Sequence, residues 1–170
     1  MRKSPSYYNL GDHTETIQID YDPNQITYHE FLDLFWKSHN PTSRAASRQY
    51  MSIIFYHDEA QKRLALETRD REAANRNARL HTEIVPYTEF YLAEDYHQKY
   101  RLQHEQDLMG EFRRMFPHME DFINSTAAAR VSGYLAGYGT SEALEEEIDM
   151  LGLSEAGVRK LREIVAARER

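Results

Sequence analysis

Apolar and polar residues alternate along residues 14–21, TETIQIDY. Ile17, Ile19 and Tyr21 fall on one side and Thr16, Gln18 and Asp20 on the other, which predicts a strand with one buried face. Asp22-Pro23-Asn24 closes it with turn chemistry. The period then becomes helical. Thr27 followed by Glu30 reads as a capping box, and Phe31, Leu34 and Phe35 form a stripe that Leu32 and Trp36 widen. Asn40-Pro41 stops this helix. Residues 50–57, YMSIIFYH, are apolar on both faces, as a central strand would be. Asp58 can cap a long polar helix running to about Leu80, with a stripe drawn from Ala60, Leu64, Ala65 and Leu66. Residues 82–92 read as a strand broken at Pro86. Ala93 opens another helix, with Glu94 and Asp95 in a first turn where the dipole favours acids. The order β-α-β-α-β-α predicts an α+β sandwich with a mostly antiparallel or mixed sheet.

The pattern changes near Gln103. Residues 104–170 read as short helices: 105–116, a piece around Phe122, 141–151 and 154–168, with Ser141 and Ser154 as cap candidates. The expected division is therefore 1–103 for the α+β domain and 104–170 for a helical C-terminal extension. Gly133, Gly137 and Gly139 punctuate SGYLAGYG; no phosphate-loop lysine follows, so a turn or packing role is expected there.

Composition narrows the partners. The 170 residues carry 28 acids against 21 Lys and Arg, a net charge of −7. That charge disfavours nucleic acid, whose phosphates demand a basic face, and anionic membrane surfaces. No apolar run is longer than that of Ile53 to Tyr56, far short of a bilayer span. MRKSPSYYNL at the start has cations but no apolar stretch behind them, so a secretory signal is not expected and the cytoplasm is the default compartment. There is no cysteine, hence no disulfide, thiolate metal site or thiol chemistry from these residues. The histidines His13, His39, His57, His81 and His97 are scattered, and no metal site is expected.

Glu15 is in phase with Ile17 and Ile19. If the strand starts before it, its carboxyl points inward, where desolvation favours the protonated form and a proton-donor role. If the strand starts at Thr16, Glu15 is solvated. Tyr7, Tyr8 and Tyr50 could wall a polar site and donate hydrogen bonds, or serve as core aromatics.

One stretch is more specific. Residues 81–100, HTEIVPYTEFYLAEDYHQKY, closely resemble the distinctive segment of the A-type peptide methionine sulfoxide reductases. Other pieces follow in the same order: Asp12-His13-Thr14-Glu15 with Tyr21-Asp22-Pro23, Phe35-Trp36 with His39-Asn40-Pro41-Thr42, and Gln49-Tyr50-x-Ser52. The likeness runs over about residues 5–102. It implies a two-layer α/β sandwich around a mixed sheet, a ferredoxin-like reductase fold. It also implies reduction of the S-epimer of methionine sulfoxide, free or in proteins, to methionine. In that reaction a Cys thiolate attacks the sulfoxide sulfur, and thioredoxin or another thiol restores the enzyme without a bound cofactor. By motif position the resemblance makes Glu15 the acid that protonates the sulfoxide oxygen, and Tyr7 and Tyr50 the phenols that hold it.

The departures are as informative. The family's Gly-Cys-Phe-Trp-Gly motif, with its nucleophile, has no counterpart here. The resemblance therefore implies a chain that begins after that motif, with Met1 an internal methionine of a longer product, and a chain inactive as written. The loop 43–48 is shorter than the family's, and residues 104–170 show no motif likeness to it. The alternative is a non-catalytic pseudo-enzyme, or a binding module for methionine sulfoxide or a protein partner.

Overall fold

A computed structural model describes residues 13–169. The chain is a mixture of helix and strand, and it divides into two compact units between Leu92 and Ala93.

In the first unit, α1 (Tyr28–Ser38) begins where the capping box puts it. The Thr27 side chain accepts from the Glu30 N–H, and the Glu30 carboxylate accepts from the Thr27 N–H at 2.7 Å. These Thr27 bonds, side chain first, hold the Glu30 carboxyl below its usual range. The helix buries Leu32 and Trp36. Leu34, expected in its stripe with Phe31 and Phe35, is 54% exposed instead, because the core lies on the edge of the stripe that Leu32 and Trp36 occupy. β1 (Ile53–Tyr56) follows, then α2 (Glu59–Arg76), capped by the Asp58 carboxylate on Gln61 N–H. α2 stops at Arg76, short of Leu80, because Asn77 takes the left-handed conformation at φ 47°, a common helix terminator. β2 (Glu83–Pro86) pairs with β1 in parallel, from Ile53 opposite Glu83 to Tyr56 opposite Pro86. Parallel neighbours need a long crossover, and α2 supplies it.

Leu32, Trp36, Ile54 and Ala65 form the buried cluster of this unit. The Trp36 indole N–H donates to Thr68 Oγ1 at 3.0 Å, and that hydroxyl donates to the Ala65 carbonyl at 3.1 Å. A buried indole is thus satisfied by a threonine one turn beyond Ala65.

The expected strand at 14–21 is not formed. Ile17 is 81% and Ile19 50% exposed. Glu15 N–H reaches the Gln49 carbonyl at 3.0 Å, but no ladder continues from it among the described residues. Alternation says which side chains share a face; it does not supply the neighbouring strand a ladder needs.

The second unit is helical. The helix expected from Ala93 is also absent: Asp95–His97 form one 3-10 turn, Lys99 is left-handed at φ 48°, and only then does α3 (Tyr100–Gln103) begin. α4 (Gln106–Met115), α5 (Met119–Asn124), α6 (Thr126–Leu135), α7 (Ser141–Glu147) and α8 (Glu155–Arg168) complete it, with a 3-10 turn at Ile148–Leu151. α6 was not expected, and Gly133 lies inside it. Thr140, not Ser141, caps α7, and Ser154 caps α8. The helices close on a core that includes Leu108, Phe112, Phe122, Val131, Leu144 and Leu161. Gly139 has φ 88°, and an added Cβ would fall 2.5 Å from the Tyr134 ring, so glycine is required there on both counts.

Candidate active site

The segment around Glu15 runs beside the 3-10 turn Arg48–Tyr50 that leads into β1. Thr14 Oγ1 donates to the Arg48 carbonyl at 3.0 Å, and Glu15 N–H to the Gln49 carbonyl at 3.0 Å. The Gln49 side-chain amide donates back to Glu15 Oε1 at 2.6 Å. These bonds fix the Glu15 carboxylate one residue from Tyr50. The Tyr50 N–H closes its turn on the Ser47 carbonyl at 3.2 Å, and its side chain is 56% exposed. Arg48 forks away from this pair to Glu83, at 2.9 Å across the start of the sheet. The register of Ile53 on Glu83 thereby also locates the turn.

Glu15 is exposed. Of the two readings of the strand pattern, the solvated Glu15 is the one these residues form, since the burial of an inward-facing acid needs the ladder that 14–21 lacks. Tyr7 and Tyr8 lie outside the described residues. Of the expected site residues, Glu15 and Tyr50 are the two whose surroundings can be described, and Gln49 links them. Sequence reasoning quoted Gln49 only as part of a motif. Its role had one available signal: an amide directly before a candidate phenol.

Two further motif residues border this region. His13 meets Tyr91 edge to face, with ring centroids 5.3 Å apart. The Tyr91 hydroxyl donates to Glu89 at 2.7 Å, and that bond, ahead of burial, pushes the phenol above its usual pKa. His39 stacks on Trp36 and shares a hydrogen bond of 2.8 Å with the Phe35 carbonyl. Among the described residues no group of three or more His, Asp or Glu is placed to hold a metal ion. No described helix is long and apolar enough to cross a membrane.

The described residues form an α+β unit with an acid held beside the turn that leads into its first strand, followed in the chain by a unit of short helices. Comparison with known proteins makes the class of chain specific. The family model for peptide methionine sulfoxide reductase matches residues 1–130, and this chain belongs to that family. A second model, the helical domain of selenoprotein methionine sulfoxide reductase A, matches residues 119–166. The likeness therefore does not end near residue 102, as the motifs suggested; helical spacing carries few fixed residues by which it could be seen. A peptide methionine sulfoxide reductase of Drosophila melanogaster is 42% identical over 152 residues, covering 88% of this chain and 61% of that protein. Peptide methionine sulfoxide reductase A5 of Oryza sativa subsp. japonica is 35% identical over 154 residues, covering 85% and 60%. An archaeal relative from Methanosarcina acetivorans is 43% identical over 95 residues, covering 52% and 50%. The chain thus spans about half to three-fifths of the length of these relatives.

Proposed function

We propose that these residues carry the oxygen-binding half of a methionine-S-sulfoxide reductase site. Residues 1–103 would form the reductase-like two-layer sandwich with its mixed, ferredoxin-like sheet, and residues 104–170 its helical extension. Glu15, Tyr50 and Tyr7 hold and protonate the sulfoxide oxygen. The attacking thiolate comes from outside the 170 residues, since they contain no cysteine. That thiolate bonds to the sulfoxide sulfur as the oxygen takes a proton. The oxygen then passes to the thiol sulfur as the bond between the two sulfurs breaks, which releases methionine and leaves a sulfenic acid. Thioredoxin or a small dithiol reduces this through a mixed disulfide with loss of water. The carboxyl and the phenols are suited to an oxygen that gains negative charge as its bond to sulfur breaks. A peptide seated over the exposed Glu15 would strip water from it and favour its protonated form.

What supports this most is the Glu15–Gln49 pairing. It holds the carboxylate one residue from Tyr50 through a backbone bond of 3.0 Å and a side-chain bond of 2.6 Å. The absence of cysteine favours a second reading for the chain on its own, that it binds sulfoxide without turning it over. The test has two arms. Purified 170-residue chain with dithiothreitol should reduce an S-sulfoxide peptide no faster than dithiothreitol alone, and turnover above that background would show that the reaction needs no protein thiolate. Calorimetric titration with the same peptide should show binding weakened about tenfold by Glu15→Gln or Tyr50→Phe. Affinity unchanged in both variants would remove these residues from the site.

A further inference from the structure

The helical unit contains a cavity of about 470 Å³ that the sulfoxide chemistry does not use. Its lining includes Tyr100, Arg101, His104, Leu135, Ile164 and Arg168. Arg101 lies on α3 and His104 just after it, Leu135 ends α6, and Ile164 and Arg168 lie on the last turns of α8. α6 packs against both α3 and α8, so the cavity is shaped by three helices that share the unit's core. We propose that it binds an organic monocarboxylate with an aliphatic body.

The charge pattern carries the head group. Arg48 and Arg71 meet carboxylates in the first unit, and Arg130 and Arg162 do so in the second, where Arg162 grips Glu145 with both prongs at 2.6 and 2.5 Å. Neither Arg101 nor Arg168 has an ion pair or hydrogen bond to another described residue, in a chain where acids outnumber Lys and Arg by 28 to 21. Two unmatched guanidinium groups line one hollow, and each offers the planar pair of donors that suits a carboxylate. Glu105 also lines the cavity, but Lys160 Nζ lies 3.7 Å from its carboxylate. The remaining positive excess is small and one acid stays in the wall, which selects a singly charged ligand over a polyphosphate.

The floor carries the body. Leu135 is buried and Ile164 half-buried. The Tyr100 and His104 rings, 4.0 Å apart, form one wall. The Tyr100 carbonyl faces His104 Nδ1 at 2.8 Å, which fixes the proton on that nitrogen when the ring is neutral. A hollow of this size that joins an aliphatic floor to converging polar groups has the make-up of a small-molecule site.

The full chain titrated calorimetrically with N-acetyl-leucine should show saturable binding. N-acetyl-leucinamide, which keeps the body and lacks the charge, and inorganic phosphate, which has charge and no body, should each bind at least about tenfold more weakly. Arg101→Gln and Arg168→Gln should each weaken N-acetyl-leucine about tenfold, while Arg114→Gln, which does not line the cavity, changes nothing. Unchanged circular dichroism and urea midpoints would show that the variants fold. Absence of saturable binding, equal binding of the amide or of phosphate, or affinity unchanged in both cavity variants would each overturn the proposal.

Discussion

The two units solve the same problem with unequal means. Among the described residues the helical unit gathers fourteen buried residues into one cluster, from Leu102 to Val165, whereas the buried cluster of the first unit has four. The first unit also leaves Ile17, Ile19 and Leu34 in water. Helices satisfy their backbone within the segment, so a run of short amphipathic helices can close a core from local sequence. A sheet must find each strand a neighbour before its apolar face can be covered. The candidate chemistry sits in the unit with the smaller core, and the unit with the larger core holds the hollow that Arg101 and Arg168 line.

The largest effect should come from breaking the larger core. Phe112 is fully buried and meets the Phe116 and Phe122 rings at 6.1 and 6.3 Å. Phe112→Ala should lower stability by about 3–5 kcal/mol. Leu34→Ala, on the exposed flank of α1, should stay within about 0.5 kcal/mol. Urea denaturation followed by circular dichroism measures both; comparable losses would mean that the first unit is as tightly closed as the second.

Two tyrosines sharpen the contrast. The Tyr134 phenol is pushed up to about 12 by burial and by its bond to Glu147. The Tyr28 phenol is likewise pushed up to about 12, by burial and then by Tyr21 and Asp58. The Tyr134 hydroxyl donates to Glu147 at 2.6 Å, and Arg130 meets the other carboxylate oxygen. The Tyr28 hydroxyl is buried with no hydrogen-bond partner among the described residues. Tyr134→Phe should therefore cost about 1.5–3 kcal/mol, the worth of a bond to a charged group, while Tyr28→Phe should be neutral or slightly stabilising. Both phenols have raised folded pKa values, so their contribution is complete below pH 10, where the unfolded phenol is still neutral. It is lost as pH rises from about 10 to 12. Each Phe variant should flatten the fall in urea midpoint across that window, and a fall as steep as the wild type's would show that neither phenol titrates there.

Legibility in the sequence followed the same division. Residues that act through their immediate neighbours were readable: the Thr27–Glu30 capping box, Asp58 and Ser154 as caps, and the strand within YMSIIFYH. Features that depend on a distant partner were not. The alternation at 14–21 says nothing of which strand would pair with it. Thr68 reads as a polar residue on a polar helix until Trp36 arrives to need an acceptor. In α6 the run TAAARVSGYL was obscured by Gly133, because a helical glycine with open space around it looks in sequence like a turn. The candidate site was visible as motif residues, but Gln49 became part of it only through its two bonds to Glu15.

The smallest expected effect tests the comparison at its weakest joint. Ile17 is 81% exposed, so Ile17→Ser removes almost no buried area and should change stability by no more than about 0.5 kcal/mol. It should also reduce self-association measured by light scattering, because an exposed apolar pair on an unladdered segment is a surface that other chains can cover. A loss above about 1 kcal/mol would mean that Ile17 is covered in solution. Residues 14–21 would then be a paired strand, Glu15 would return to a buried face, and the first unit would close as the second does.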